Sequence, residues 1–314
     1  MSVGMWVQGE DFYGRAAELD ALFAILARDS ASLLAPRRVG KTSLMHRAAR
    51  DASARGWKAV FVDVQGASDE MGFLARLIAA LHDAGHPAER DWGRWLEGRV
   101  KALQTGTERV SVTLPSAGGA SLGSVELALR AVPPGTWRDL AQAVASRLIG
   151  HAQPTVILVD ELPILMLKLL EAPDGKRRAA DLLDWHRELR LASNAAHLRW
   201  VLGGSIGIET VASKHNLTSR FNDLAPLDLG PFTDDEAHGF LVHLAFRLGQ
   251  GASFPPDVRE YLIERVGQEQ REEVGAFLLD VLVSDGYLVQ QGRRFRFRSP
   301  LLRQYWLRRF GVEE

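Results

Sequence analysis

The chain of 314 residues contains no cysteine. That excludes a disulfide framework, a cysteine zinc site and a thiol nucleophile together. It also has almost no net charge: 38 Lys and Arg stand against 39 Asp and Glu, giving −1 at pH 7. No whole-chain field favours nucleic acid or a membrane surface, so any such preference must come from a local patch. Uninterrupted apolar runs are missing too. The most apolar segment, Thr155 to Leu170, carries Asp160 and Glu161, which excludes a plain membrane span. Met1 to Glu10 has no basic stretch followed by an apolar run, so no signal peptide is expected and the protein reads as cytoplasmic. Nine histidines remain as metal ligands. His82 and His86 have the spacing of one helix face, but Gly85 lies between them, Pro87 follows, and no zinc-binding carboxylate motif surrounds them. They read as a solvated helix end.

What is present is an ordinary globular composition, 46% apolar and 25% charged, in a chain long enough for two domains. Leu19, Leu22, Phe23 and Leu26 predict a helix over Glu18 to Ala27. A short buried strand, Ala31 to Leu34, leads through a polar turn into a helix starting near Lys41. A strand at Ala59 to Val64 and a helix at Met71 to His82 follow, and this alternation predicts a parallel α/β sheet. The region from about 85 to 135 breaks the pattern. It begins with a helix carrying Trp92, Trp95, Leu96, Val100 and Leu103. Arg109 to Leu114 and Ser124 to Ala131 then alternate apolar and polar residues around a glycine-rich tip, which predicts an inserted β-hairpin. Beyond it come a helix at Thr136 to Leu148, a strand at Thr155 to Val159, a long helix at Arg177 to Ala196 and strands at Leu198 to Leu202 and Ala225 to Leu229. After Pro231 the pattern turns to helices near 234–248, 256–266 and 271–283, a hairpin at Tyr287 to Arg298 and a last helix at Pro300 to Phe310. The expected organisation is therefore residues 1–230 as the sheet domain and 231–314 as a helical, winged-helix-like domain.

The chemistry is concentrated in Ala35-Pro-Arg-Arg-Val-Gly-Lys-Thr42, followed by Ser43. A phosphate loop needs inward-pointing amides, a helix N-terminus, a lysine that reaches the β and γ phosphates and a hydroxyl for magnesium. Pro36, Arg37, Arg38, Val39 and Gly40 would supply the loop, Lys41 the cation and Thr42 the hydroxyl. Position 35, usually glycine, is alanine, so its turn must be one that alanine can adopt. The tripeptide Gly40-Lys41-Thr42 alone also fits an accidental surface turn; its place between a strand and a helix argues for the phosphate loop. The second half is the strand Val156-Ile-Leu-Val, which ends in Asp160-Glu161. A buried strand running into two acids is costly unless something neutralises them. Asp160 suits magnesium and Glu161 suits orienting and deprotonating water. The competing reading is that both acids cap the next helix at its positive end. The guanine-reading Asn-Lys-x-Asp motif is absent, which favours ATP.

Phe12-Tyr-Gly-Arg15 with Glu18-Leu19, then Pro36 to Ser43, then Leu158-Val-Asp-Glu161, resembles the archaeal-type AAA-like ATPases of the MNS group of STAND P-loop NTPases. Gly203-Gly-Ser205 and the Tyr287 to Trp306 stretch are similar to that group as well. The resemblance implies an AAA-like P-loop sheet flanked by helices, with ATP and Mg2+ as cofactors and hydrolysis to ADP. It further implies that Phe12, Tyr13 and Gly14 lie against adenine, that Ser205 senses the γ-phosphate, and that Arg220 acts as an arginine finger, usually from a neighbouring subunit. The group's Gly-x-Pro motif is not evident. The function expected is an ATP-driven switch that repositions the C-terminal module. The alternatives are a DNA-binding protein using ATP as a clamp, through the basic stretch Arg293 to Arg309, and a regulatory scaffold for a protein partner. That stretch also fits a solvated face or a docking surface.

Overall fold

A computed structural model of the chain describes residues 12–35, 39–88, 91–103, 136–204 and 208–247, the strands 288–291 and 294–297, and single positions at 123, 125, 129, 259, 260 and 264. The chain divides into two compact units, Met1–Pro231 and Phe232–Glu314.

Five strands build the sheet of the first unit: β1 (Ala31–Leu34), β2 (Lys58–Asp63), β3 (Thr155–Asp160), β4 (Leu198–Gly204) and β5 (Ala225–Asp228). All pair in parallel in the order β2-β3-β4-β1-β5. Every residue of β3 is buried, as expected of a parallel strand covered on both faces. Its side chains alternate between two apolar layers. Ile157 and Val159 join one cluster with Val60, Val62, Trp200 and Leu202. Val156 and Leu158 join the other with Leu33, Val201 and Leu227.

The second layer is closed by α1 (Ala16–Leu26) and α2 (Lys41–Asp51), through residues such as Leu22, Leu26, Leu44 and Met45. The first is closed by α3 (Glu70–Asp83), α4 (Trp92–Leu103), α5 (Trp137–Ile149), α6 (Leu162–Glu171) and α7 (Gly175–Leu191). Two features fix their starts. Asp69 caps α3, its carboxylate accepting from the Gly72 amide at 2.7 Å. Glu70, buried at the first turn, is gripped by both Nε and Nη2 of Arg178 on α7. A short helix α8 (Ile208–Lys214) precedes β5.

The second unit contains α9 (Asp234–Arg247) and an antiparallel pair, β6 (Leu288–Gln291) and β7 (Arg294–Phe297). Thr233 opens α9 with a capping box: its amide donates to Glu236 Oε2 at 2.8 Å and its Oγ1 accepts from the Glu236 amide at 3.3 Å.

Three expectations are corrected. Gly123, Val125 and Leu129 are helical, not part of a strand over 124–131. Val125 and Leu129 are both buried and four apart, so the same residues that alternate also satisfy a helix face. The first arm of the expected hairpin, Arg109 to Leu114, lies outside the described residues. The stretch after Glu161, not assigned in the sequence, forms the separate helix α6, and the long helix begins earlier, at Gly175. His86 is not solvated: it is 1% exposed.

Candidate functional site

The carboxyl ends of β1, β4 and β3 lie side by side along one edge of the sheet, with β4 in the middle. Gly40 ends the turn after β1 with φ +93 and ψ 22. A Cβ there would meet nothing within 4 Å, so the left-handed backbone and not crowding calls for glycine. Glycine at the N-cap brings no side chain to occupy the first amides of α2, and its first turn holds no acid. The positive end of α2 thus favours an anion. Ala35 is buried and has no positive φ, so alanine is accommodated at the loop's first position.

Lys41 is only 6% exposed. Its Nζ folds back along the loop and donates to the Ala35 carbonyl at 3.1 Å. Next to it, Thr42 Oγ1 donates to Asp160 Oδ2 at 2.6 Å, across the end of β4. Asp160 is 3% exposed and its other oxygen, Oδ1, accepts from the Glu161 amide at 3.0 Å. A buried cation, a hydroxyl and a buried carboxylate therefore meet at the edge of a sheet whose interior is apolar. Glu161 then adopts φ 58 and ψ 34 as α6 begins. A non-glycine residue held left-handed costs roughly 1 kcal/mol or more, and such positions cluster at functional sites. The turn takes Glu161 out of the strand's alternation.

The glycine pair Gly203-Gly204 ends β4 beside these groups. A Cβ on Gly203 would come 2.9 Å from Asp160 Oδ1 and 2.7 Å from Met45 Sδ.

Two contributors were not assigned from the sequence. His46 stacks on Phe61 with ring centroids 3.9 Å apart. Burial lowers its pKa, against the opposing pull of the Asp160 and Asp63 carboxylates. Its spacing of four from Thr42 places both on one face of α2, and that was the available signal. Arg15, quoted only as part of a motif, is 7% exposed with φ 62. It pairs with Glu18 at 2.6 Å and donates to the Val39 carbonyl at 3.4 Å and the Gly230 carbonyl at 2.7 Å. It links the turn before α2 to the last residues of the first unit.

The other expected residues are distributed as follows. Phe12 packs against the α1–α2 cluster, with the Arg47 guanidinium 5.3 Å from its ring. Tyr13 is half-buried, and Gly14 turns the chain with φ 66. Val39 is buried and Ser43 half-buried. Arg220 sits in a short 3-10 turn, where its Nε and Nη2 bind Asp184 of α7 at 2.8 and 2.9 Å. Its partner in this chain is thus an internal acid. Pro36, Arg37, Arg38 and Ser205 lie outside the described residues. Of the basic C-terminal stretch only Arg294 and Arg296 are described, in register with Gln291 and Val289.

No protein-family model matches the chain, and no curated protein matches it. Among solved structures it is similar to a Walker-type ATPase of Pyrococcus abyssi, at 14% identity and a TM-score of 0.51, over 96% of this chain and 98% of that one. The two share a fold. Looser likenesses are the ORC1 protein of Aeropyrum pernix in complex with DNA, at 18% identity and TM-score 0.41 over 93% and 64% of the chains, and the ORC2 protein of the same organism, at 15% and 0.48 over 78% and 54%. The shared architecture is a parallel α/β sheet flanked by helices.

The donor set fits a hard divalent cation. A hydroxyl and a carboxylate, already within 2.6 Å of one another beside a helix N-terminus, are the oxygen ligands that magnesium takes together with phosphate. Among the described residues no cluster of three or more His, Asp or Glu forms an all-protein metal cage. No described helix is long and apolar enough to cross a membrane.

Proposed function

We propose that the chain binds ATP with Mg2+ at this edge and hydrolyses it. The observation that carries the reading is the Thr42–Asp160 hydrogen bond across β4, with the buried Lys41 beside it. The amides opening α2 and the Lys41 ammonium bind the β and γ phosphates, Lys41 exchanging the Ala35 carbonyl for phosphate oxygen. Thr42 and Asp160 would hold Mg2+, which when bound neutralises phosphate charge. Glu161 accepts the proton of a water whose oxygen bonds to the γ-phosphorus as the bond to the ADP oxygen breaks. By the family resemblance, Phe12, Tyr13 and Gly14 would meet the base and Ser205 would sense the γ-phosphate.

A switch role is supported by Arg15. Its guanidinium grips the carbonyl of Val39, in the phosphate loop, and that of Gly230, one residue before the end of the first unit. A change in the loop on binding or hydrolysis thereby acts on the point where the chain leaves the ATPase unit.

Calorimetry with Mg-ATP tests the reading. The parent protein gives a binding isotherm, and Lys41→Ala weakens it about a hundredfold or more, the order expected for losing charged hydrogen bonds. A folded parent protein that binds no nucleoside triphosphate, or a variant that binds as well as the parent, overturns it.

A further inference from the structure

We propose that Gly203 is a positioning residue for the metal ligand Asp160, acting through the side chain that it lacks. The inference rests on the reading of Thr42 and Asp160 as magnesium ligands.

Two glycines flank this site for opposite reasons. Gly40 has open space around its missing Cβ and a left-handed backbone. Gly203 has an ordinary strand conformation, in register with Leu33 of β1, and no space. Its Cβ position falls 2.7 Å from Met45 Sδ, 2.9 Å from Asp160 Oδ1 and 3.2 Å from Met45 Cε. Backbone preference does not explain glycine here; the volume does. That volume is filled by the carboxylate of Asp160 on one strand and the thioether of Met45 on α2.

The two neighbours differ in how far they can give. Met45 is a flexible thioether, able to change rotamer even when fully buried. The Asp160 carboxylate is held at both oxygens, by Thr42 Oγ1 and the Glu161 amide. Any side chain at position 203 must therefore displace the carboxylate from Thr42 or force Met45 into α2. Either movement alters the pair that receives the metal, while the nearest neighbours of that Cβ position are the Met45 sulfur and methyl and the Asp160 carboxylate, and not Lys41 or the helix amides, which receive the phosphates. The effect should fall on metal-dependent binding and spare metal-free binding. Supporting shells of metal ligands act in this manner.

The test is nucleotide affinity of the full chain, titrated with Mg2+ and repeated in EDTA, for the parent, Gly203→Ala and the double variant Gly203→Ala/Met45→Ala. For Gly203→Ala the Mg2+ concentration giving half-maximal tight binding is expected to rise about tenfold or more, with EDTA affinity within about twofold of the parent. The double variant removes the sulfur contact and serves also if the single variant does not fold; it is expected to keep the raised Mg2+ requirement. A parent-like Mg2+ requirement in either folded variant overturns the proposal and leaves the ATP site standing. A parent protein whose nucleotide affinity ignores Mg2+ overturns both.

Discussion

The two ends of the same sheet bury polar groups to the same depth and use them differently. At the carboxyl end, an ammonium and a carboxylate sit within a few residues of a helix N-terminus and a left-handed glutamate. At the amino end, below β2, β3 and β4, the buried polar groups are His86 and Thr155, joined in an uncharged chain. His86 Nδ1 accepts from the Ala88 amide at 3.2 Å, so Nε2 carries the proton and donates to Thr155 Oγ1 at 2.9 Å. Thr155 Oγ1 donates in turn to the Gln153 carbonyl at 2.9 Å. His197 Nε2 lies 3.2 Å from the Leu148 carbonyl. That chain ends on carbonyls and is closed. Burial of polar groups alone therefore does not mark a site; buried charge beside strained backbone does.

The contrast is broken or sharpened by three changes. The largest effect belongs to the carboxyl end. Glu161→Gln is expected to slow hydrolysis about 10²- to 10⁴-fold, with nucleotide binding and the urea midpoint retained. Parent-rate turnover would remove Glu161 from the proposed chemistry. At the amino end, Thr155→Val should do the reverse. It leaves His86 Nε2–H and the Gln153 carbonyl without their partner, at about 1–3 kcal/mol for each buried group, measured in urea. Turnover per folded molecule stays at the parent value. A tenfold fall in that turnover would mean that the two ends are coupled.

The smallest effect is a pH dependence of the amino end. Burial, together with the nearby His151, Lys58 and His197, lowers the His86 pKa to about 4. The unfolded chain takes up a proton near the ordinary histidine value while the folded chain refuses it. Stability is thus full above the unfolded value and declines as pH falls from about 6.5 toward 4, by about 3 kcal/mol at most. His86→Gln can keep a neutral donor to Thr155, and its stability should be flatter across that window. An unchanged pH profile would place the titration on another group.

Much of this was legible in the sequence because it is local. The strand at Ala31–Leu34, the helix start at Lys41 and the acids ending β3 follow from short apolar runs and from turn and motif residues. Val125 and Leu129 are helical where alternation predicts a strand, because their spacing satisfies both periods, and only burial against the core decides between them. What the sequence could not supply is proximity between distant elements. Nothing near Gly203 announces that it faces Asp160, nothing near Arg15 announces Gly230, and the polar run around His86 gives no sign of an overlying core.

The place of β4 has a further consequence for synthesis of the chain. Within the sheet, β1 pairs only with β4 and β5, and β3 only with β2 and β4. A nascent polypeptide that has emerged only as far as residue 197 thus holds both motif-bearing strands but not the strand that joins them. Competence for ligand would arrive late in translation, when Leu198–Gly204 inserts as the keystone between β1 and the β2–β3 pair, with β5 still to follow.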